Sequence, residues 1–92
     1  MKKKILLIND DESVKEIFSI YLEMKNYEVF QASTGTEGLE KTKKILPDLI
    51  LLDVMLSDMN GYEVCERLKK EESTNSIPII FVSSSLETND KI

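Results

Sequence analysis

Histidine is absent from this 92-residue chain, and cysteine occurs once, as Cys65. Without an imidazole there is no histidine-based catalytic triad and no His-ligated metal, and a lone thiol excludes an intrachain disulfide or a multi-cysteine metal site. Any cation bound here takes oxygen ligands, which favours Mg²⁺ or Ca²⁺. Clustered basic residues are also scarce. With a formal charge of -5, the chain offers no basic face for phosphate contacts, so direct nucleic-acid binding is not expected. Long apolar runs are missing too. Lys2, Lys3 and Lys4 are followed only by Ile5 to Ile8, too short for a signal peptide or a membrane helix, so the protein is expected to be cytoplasmic with no membrane partner.

What is present fits one small domain, 1–92. The chain is 41% hydrophobic and 32% charged, with no repeat, linker or low-complexity tract. Lys4 to Ile8 reads as a buried strand. From Glu12 to Lys25, Val14, Ile17, Phe18, Tyr21 and Leu22 fall at helical spacing and predict an amphipathic helix. Tyr27 to Ala32 alternates as a more exposed strand. Thr36 to Leu46 is the second helix, with Leu39, Thr42, Ile45 and Leu46 inward and Pro47-Asp48 stopping it. Leu49 to Asp53 is the third strand, and Tyr62 to Lys70 the third helix, with Tyr62, Cys65 and Leu68 on one face. Ile79 to Ser83 is the fourth strand. Strands alternating with helices imply an α/β fold with a parallel sheet covered on both faces. Cys65 is expected in the core.

In an open parallel sheet, ligands bind outside the carboxyl ends of the strands, where the strand order reverses. Asp10-Asp11 closes the first strand and Asp53 the third. If these strands are neighbours, three carboxylates converge in a shallow crevice, and a hard divalent cation relieves their repulsion. Asp53, exposed at its strand end and charge-neutralised by Mg²⁺, is then a candidate nucleophile toward a phosphoryl group. Asp10, Asp11, Glu12 and Ser13 equally suit the N-terminus of the first helix, and the two roles are compatible.

Four segments, Ile5 to Glu12, Pro47 to Leu56, Asn60 to Glu63 and Ile77 to Ser84, together resemble the receiver domain of bacterial two-component response regulators, in order and spacing along nearly the whole chain. The resemblance implies a flavodoxin-like doubly wound parallel sheet with strand order 2-1-3-4-5. It implies that Asp53 accepts a phosphoryl group from a sensor histidine kinase, as a signalling module rather than an enzyme acting on a separate substrate. Asp11 and Asp53 would ligate Mg²⁺, Asp10 would contribute through water, and Met55 would add its backbone carbonyl. Ser83 matches the hydroxyl that senses the phosphoryl oxygen, and Ser84 the small residue beside it.

Three departures accompany the resemblance. Ser57 stands where the family usually has proline, which leaves that turn less rigid. Asn9 precedes the acid pair, and a partly buried amide there needs hydrogen-bond partners. The sequence stops where the family begins its fourth helix, so a truncated receiver is expected. It would lack most of that helix, the fifth strand and the fifth helix, and with them the family lysine that contacts the phosphoryl group. An unpaired fourth strand would favour a homodimer or segment-exchanged oligomer. The alternative function is therefore a truncated receiver-like module that keeps the fold and self-associates without switching. A dehalogenase-type phosphatase needs an acid where Met55 stands. A flavin carrier needs a hydroxyl-rich loop where Asn9 to Glu12 would repel phosphate.

Overall fold

A computed structural model of the protein describes residues 1–82. Seven elements follow one another: β1 (Lys4–Ile8), α1 (Glu12–Met24), β2 (Glu28–Ala32), α2 (Gly35–Ile45), β3 (Leu49–Leu52), α3 (Gly61–Lys69) and β4 (Ile79–Phe81). The strands pair in parallel in the order β2-β1-β3-β4. The parallel α/β arrangement and its crossover order therefore agree with the expectation. Ser83 and Ser84 lie outside the described residues.

The central strands explain their own composition. β1 and β3 each pair on both edges, and Leu6, Ile8, Ile50 and Leu52 are fully buried with Val64 and Leu68 of α3. A strand covered on both faces has no polar side to alternate with, so it reads as a continuous apolar run. Gly38 of α2 lies against β1, where a Cβ would meet Ile8 Cδ1 at 2.6 Å. Its missing side chain lets helix and sheet approach.

Each helix begins on a side-chain cap. Asp11 Oδ1 accepts hydrogen bonds from Ser13 N and Val14 N at the start of α1. Thr34 Oγ1 accepts from Glu37 N, while Glu37 reaches back to accept from Ser33 N, a variant of the reciprocal capping box. The Ser33 N–H, and then Lys41, hold the Glu37 carboxyl below its usual value. Asn60 Oδ1 accepts from Glu63 N at the start of α3. α2 ends on Leu46 in the left-handed region, φ 52°.

Several expected inward faces are rotated. On α1, Ile17 is 67% exposed and Tyr21 is exposed beside Ile20 and Met24, whereas Lys15 is buried to 2%. The helix lays Val14, Lys15 and Phe18 toward the sheet and turns its second apolar stripe outward. Lys15 is accommodated because its amine reaches Ser33 Oγ and Glu12 while its methylenes fill the interior. On α3, Val64 and Leu68 are buried, Cys65 is half-buried and Tyr62 is exposed. Leu46 is exposed because the left-handed cap turns it out of the helical face.

Candidate functional site at the carboxyl ends of β1 and β3

The register of the two central strands positions the site. Ile8 stands beside Leu52, and Asp53 N donates to Ile8 O at 2.9 Å, which brings the next residue of β1, Asn9, level with Asp53. Asp53 is 1% exposed, so the phosphoacceptor candidate is not the exposed strand-end acid expected from the sequence. Burial follows from the ladder continuing past the strand: Val82 N donates to Leu52 O on one side, and Asn9 N to Ala32 O on the other. Asn9 and Asp53 line one cavity of about 10 Å³, together with Lys15, Phe18 and Val82. That is room for about one water.

The amide of Asn9 is satisfied on its oxygen, which accepts from Asp11 N at 2.8 Å. This turn directs Asp11 toward the helix, where its carboxylate is engaged in capping. Asp10 is exposed at the mouth of the β1–α1 loop. The three carboxylates are thus not gathered into one cluster: among the described residues, no group of three His, Cys, Asp or Glu side chains lies within metal-holding reach. A metal held here would draw on a mixed set of carboxylate, main-chain carbonyl and water. That set suits Mg²⁺, which binds through one or two carboxylates and keeps several waters.

The turn after β3 is shaped around Asp53. Met55 N donates to Asp53 Oδ1 at 3.3 Å, Met55 bridges Asn60 in antiparallel fashion, and Gly61 N donates to Val54 O at 2.7 Å. Gly61 lies so close to Asp53 that a Cβ there would collide with the Asp53 carbonyl. Asp58, at the tip of the turn, accepts from Gly35 N, Thr36 N and Thr36 Oγ1 at 2.8 to 2.9 Å. Those bonds hold its carboxyl down at a pKa of about 2.

These residues sit within a sequence that matches the response regulator receiver domain over residues 5–92. The chain belongs to the response regulator receiver family. Among curated receiver-containing proteins it is 40% identical over 89 residues to the DNA-binding dual master transcriptional regulator RpaA of Synechocystis, covering 97% of this chain and 37% of that protein. It is also 40% identical over 92 residues to the alkaline phosphatase synthesis transcriptional regulatory protein PhoP of Bacillus subtilis, covering all of this chain and 38% of that one. The receiver thus spans under two-fifths of the length of these relatives. A crystal structure of a putative response regulator from Chloroflexus aurantiacus superposes with a TM-score of 0.88 at 30% identity, covering 96% of this chain and 74% of that chain. Chemotaxis response regulator CheY4 of Vibrio cholerae gives 0.88 at 27%, covering 99% and 76%. The flavodoxin-like sheet is therefore that of the receiver family. Among the described residues of this receiver, no helix is long and apolar enough to cross a membrane.

Asn9, Lys15 and Gly61 lie beside Asp53, and Asp58 holds the turn that follows it; the sequence pattern alone assigns none of them a site role. Asn9 was legible in principle, because the residue after a doubly paired strand inherits its burial. Asp58 carried no local signal, since its partners lie more than twenty residues earlier in the chain.

Proposed function

We propose that this receiver takes a phosphoryl group from a sensor histidine kinase onto the carboxylate of Asp53, with Mg²⁺. The observation that carries this reading is the placement of Asp53: buried where the two central strands end, against Asn9 and under a turn that only a glycine at position 61 allows. In the transfer, an Asp53 carboxylate oxygen forms the new bond to phosphorus, the bond from phosphorus to the donor atom breaks, and the donor leaves with that electron pair. A bound Mg²⁺ supplies neutralisation of charge on the transferring oxygens. Asp11, Asp53 and the Met55 carbonyl would hold it, with Asp10 contributing through water. Asp11 also fixes the start of α1, through capping bonds that use its Oδ1 alone, and Ser83 would sense the modified aspartate. The receiver acts as a cytoplasmic signalling domain without a separate substrate of its own.

Intact mass after incubation with Mg²⁺ and acetyl phosphate tests this. A Mg²⁺-dependent gain of one phosphoryl group, absent in Asp53→Asn, is expected. No gain in a folded chain that binds Mg²⁺ overturns the reading.

A second reading, an interaction module that keeps the fold without switching, is favoured by one observation. Ile17, Ile20, Tyr21 and Met24 form an exposed apolar stripe on α1. Self-association seen by light scattering in a chain that takes no phosphoryl group would support it.

A further inference from the structure

The turn from Val54 to Asn60 follows Asp53 directly and carries the Met55 carbonyl, and it contains no proline to fix its course. Exposed turns of this kind are ordinarily the mobile parts of a fold. This one is anchored at two places. At its base, Gly61 N closes onto Val54 O. At its tip, the Asp58 carboxylate receives three hydrogen bonds from the first residues of α2, Gly35 N, Thr36 N and Thr36 Oγ1. A separate contact reinforces the tip: the next residue, Met59, lies so close to α2 that a Cβ on Gly35 would meet Met59 Cγ at 2.5 Å. α2 in turn is seated on β1 through Gly38 and Ile8. A continuous line of contacts therefore runs from the core strand, through α2, to the tip of the turn that frames Asp53.

We infer that Asp58 is a positioning residue for the Mg²⁺ side of the Asp53 site. By clamping the turn to the start of α2, it holds the Met55 carbonyl and the Asp53 carboxylate at one spacing before the ion arrives. The inference rests on the reading of Asp53 as a Mg²⁺-dependent phosphoacceptor. Mg²⁺ demands near-octahedral geometry at short distances, so a turn that wanders loses affinity, whereas a turn already held in place does not spend binding energy on being ordered. Two carboxylate oxygens shared among three donors fix orientation as well as distance. Thr36 lies on α2 and the Asp58 carboxylate is occupied by its bonds to Gly35 and Thr36, so the proposed role asks neither to touch the ion.

The test is a calorimetric Mg²⁺ titration of the whole chain beside Asp58→Ala, Asp58→Asn and Thr36→Val, each checked for folding by circular dichroism. Acetyl phosphate labelling by intact mass is read in parallel. Asp58→Ala should weaken Mg²⁺ binding about tenfold, as loss of an outer hydrogen-bond partner does. Asp58→Asn, which removes the charge but keeps one acceptor oxygen, should recover part of the loss, to about threefold. Thr36→Val, which removes only the hydroxyl bond, should cost about twofold and serves if the Asp58 variants fail to fold. Labelling at saturating Mg²⁺ should stay within about twofold of the parent. Amide hydrogen exchange at Gly35 and Thr36 should quicken in the same order.

Unchanged Mg²⁺ affinity in Asp58→Ala overturns the inference. So does an equal loss in the alanine and asparagine variants that vanishes at high salt, because the carboxylate would then act through its charge alone. If the parent binds Mg²⁺ but takes no phosphoryl group, the phosphoacceptor reading fails while the Asp58 comparison is still decided by affinity. If the parent is labelled and Asp58→Ala matches it throughout, only the role of Asp58 falls.

Discussion

Gly61 stands against the carbonyl of Asp53, with no room between them for a methyl group. The first residue of α3 and the last residue before the turn are thus in main-chain contact, and the Gly61 N–H closes the turn onto Val54. Gly61→Ala must push the helix start away from β3. It should cost about 1 to 3 kcal/mol, the usual penalty for forcing an extra carbon into a close-packed contact. Urea unfolding gives that number, and acetyl phosphate labelling should slow in the same variant because Asp53 itself is displaced.

Asp58 makes the site's surroundings sensitive to acid in a defined window. Hydrogen bonds from Thr36 N, Gly35 N and the Thr36 hydroxyl lower its pKa from 3.8 to about 2 in the folded chain. A carboxyl with a depressed folded value contributes stability that is fully present above its unfolded value and disappears as pH falls through the folded one. The stability difference between the parent and Asp58→Asn should therefore be constant near neutrality and shrink between about pH 4 and pH 2. Carbon-detected NMR titration of the Asp58 carboxyl should give a midpoint near 2, and one near 3.8 would remove the clamp from solution.

Lys15 is almost wholly buried, yet its partner Glu12 is largely exposed. A buried amine tied to a solvated acid and a serine hydroxyl contributes little beyond the packing of its methylenes. Lys15→Met, which keeps the volume, should change stability by less than about 1 kcal/mol. Lys15→Ala, which empties the space beside Phe18 and the cavity under Asp53, should cost about 2 kcal/mol. Denaturant midpoints at a constant slope distinguish the two, and a large loss in the methionine variant would mean that the polar contacts matter more than the stem.

Leu46 adopts a left-handed conformation with its side chain exposed. Side chains in that region cost about 1 kcal/mol relative to glycine. Leu46→Gly should return roughly half of that as added stability after the loss of partial apolar cover, raising the melting temperature by about 3 °C. An unchanged or lower melting temperature would show that Leu46 packs better than its exposure implies.

Much of the fold was legible because its punctuation is strong. The run from Lys4 to Ile8 forms β1 with those same ends, and the alternation of apolar runs with amphipathic stretches predicted the parallel sheet. Helix faces were harder. On α1 two apolar stripes share one helix, and periodicity alone does not say which one meets the sheet; the structure buries Lys15 and leaves Ile17 and Tyr21 outside. At the site, Asp53 was evident as the acid ending a buried strand. The roles of its neighbours were not, because they depend on register. One residue of β1 register decides that Asn9, rather than an acid, stands level with Asp53 and that Asp11 turns toward the helix. Asp58 was invisible for a different reason: a helix N-terminus capped from a distant turn leaves no pattern in the neighbouring residues.

The order β2-β1-β3-β4 also has a consequence for how the chain acquires its site. β1 is made first, and its pairing with β2 closes only a short crossover. Its pairing with β3 waits for a segment far downstream, as the Lys4 N–H to Asp48 contact across 44 positions shows. The entropy of closing the longer loop rises only slowly with length, but that cost comes before the contacts of β3 offset it. Without β3, one edge of β1 is unpaired and Asn9 has no Asp53 beside it. The surroundings of Asp53 therefore draw on both ends of a long crossover, and a change that loosens β3 from β1 takes the site apart together with the sheet.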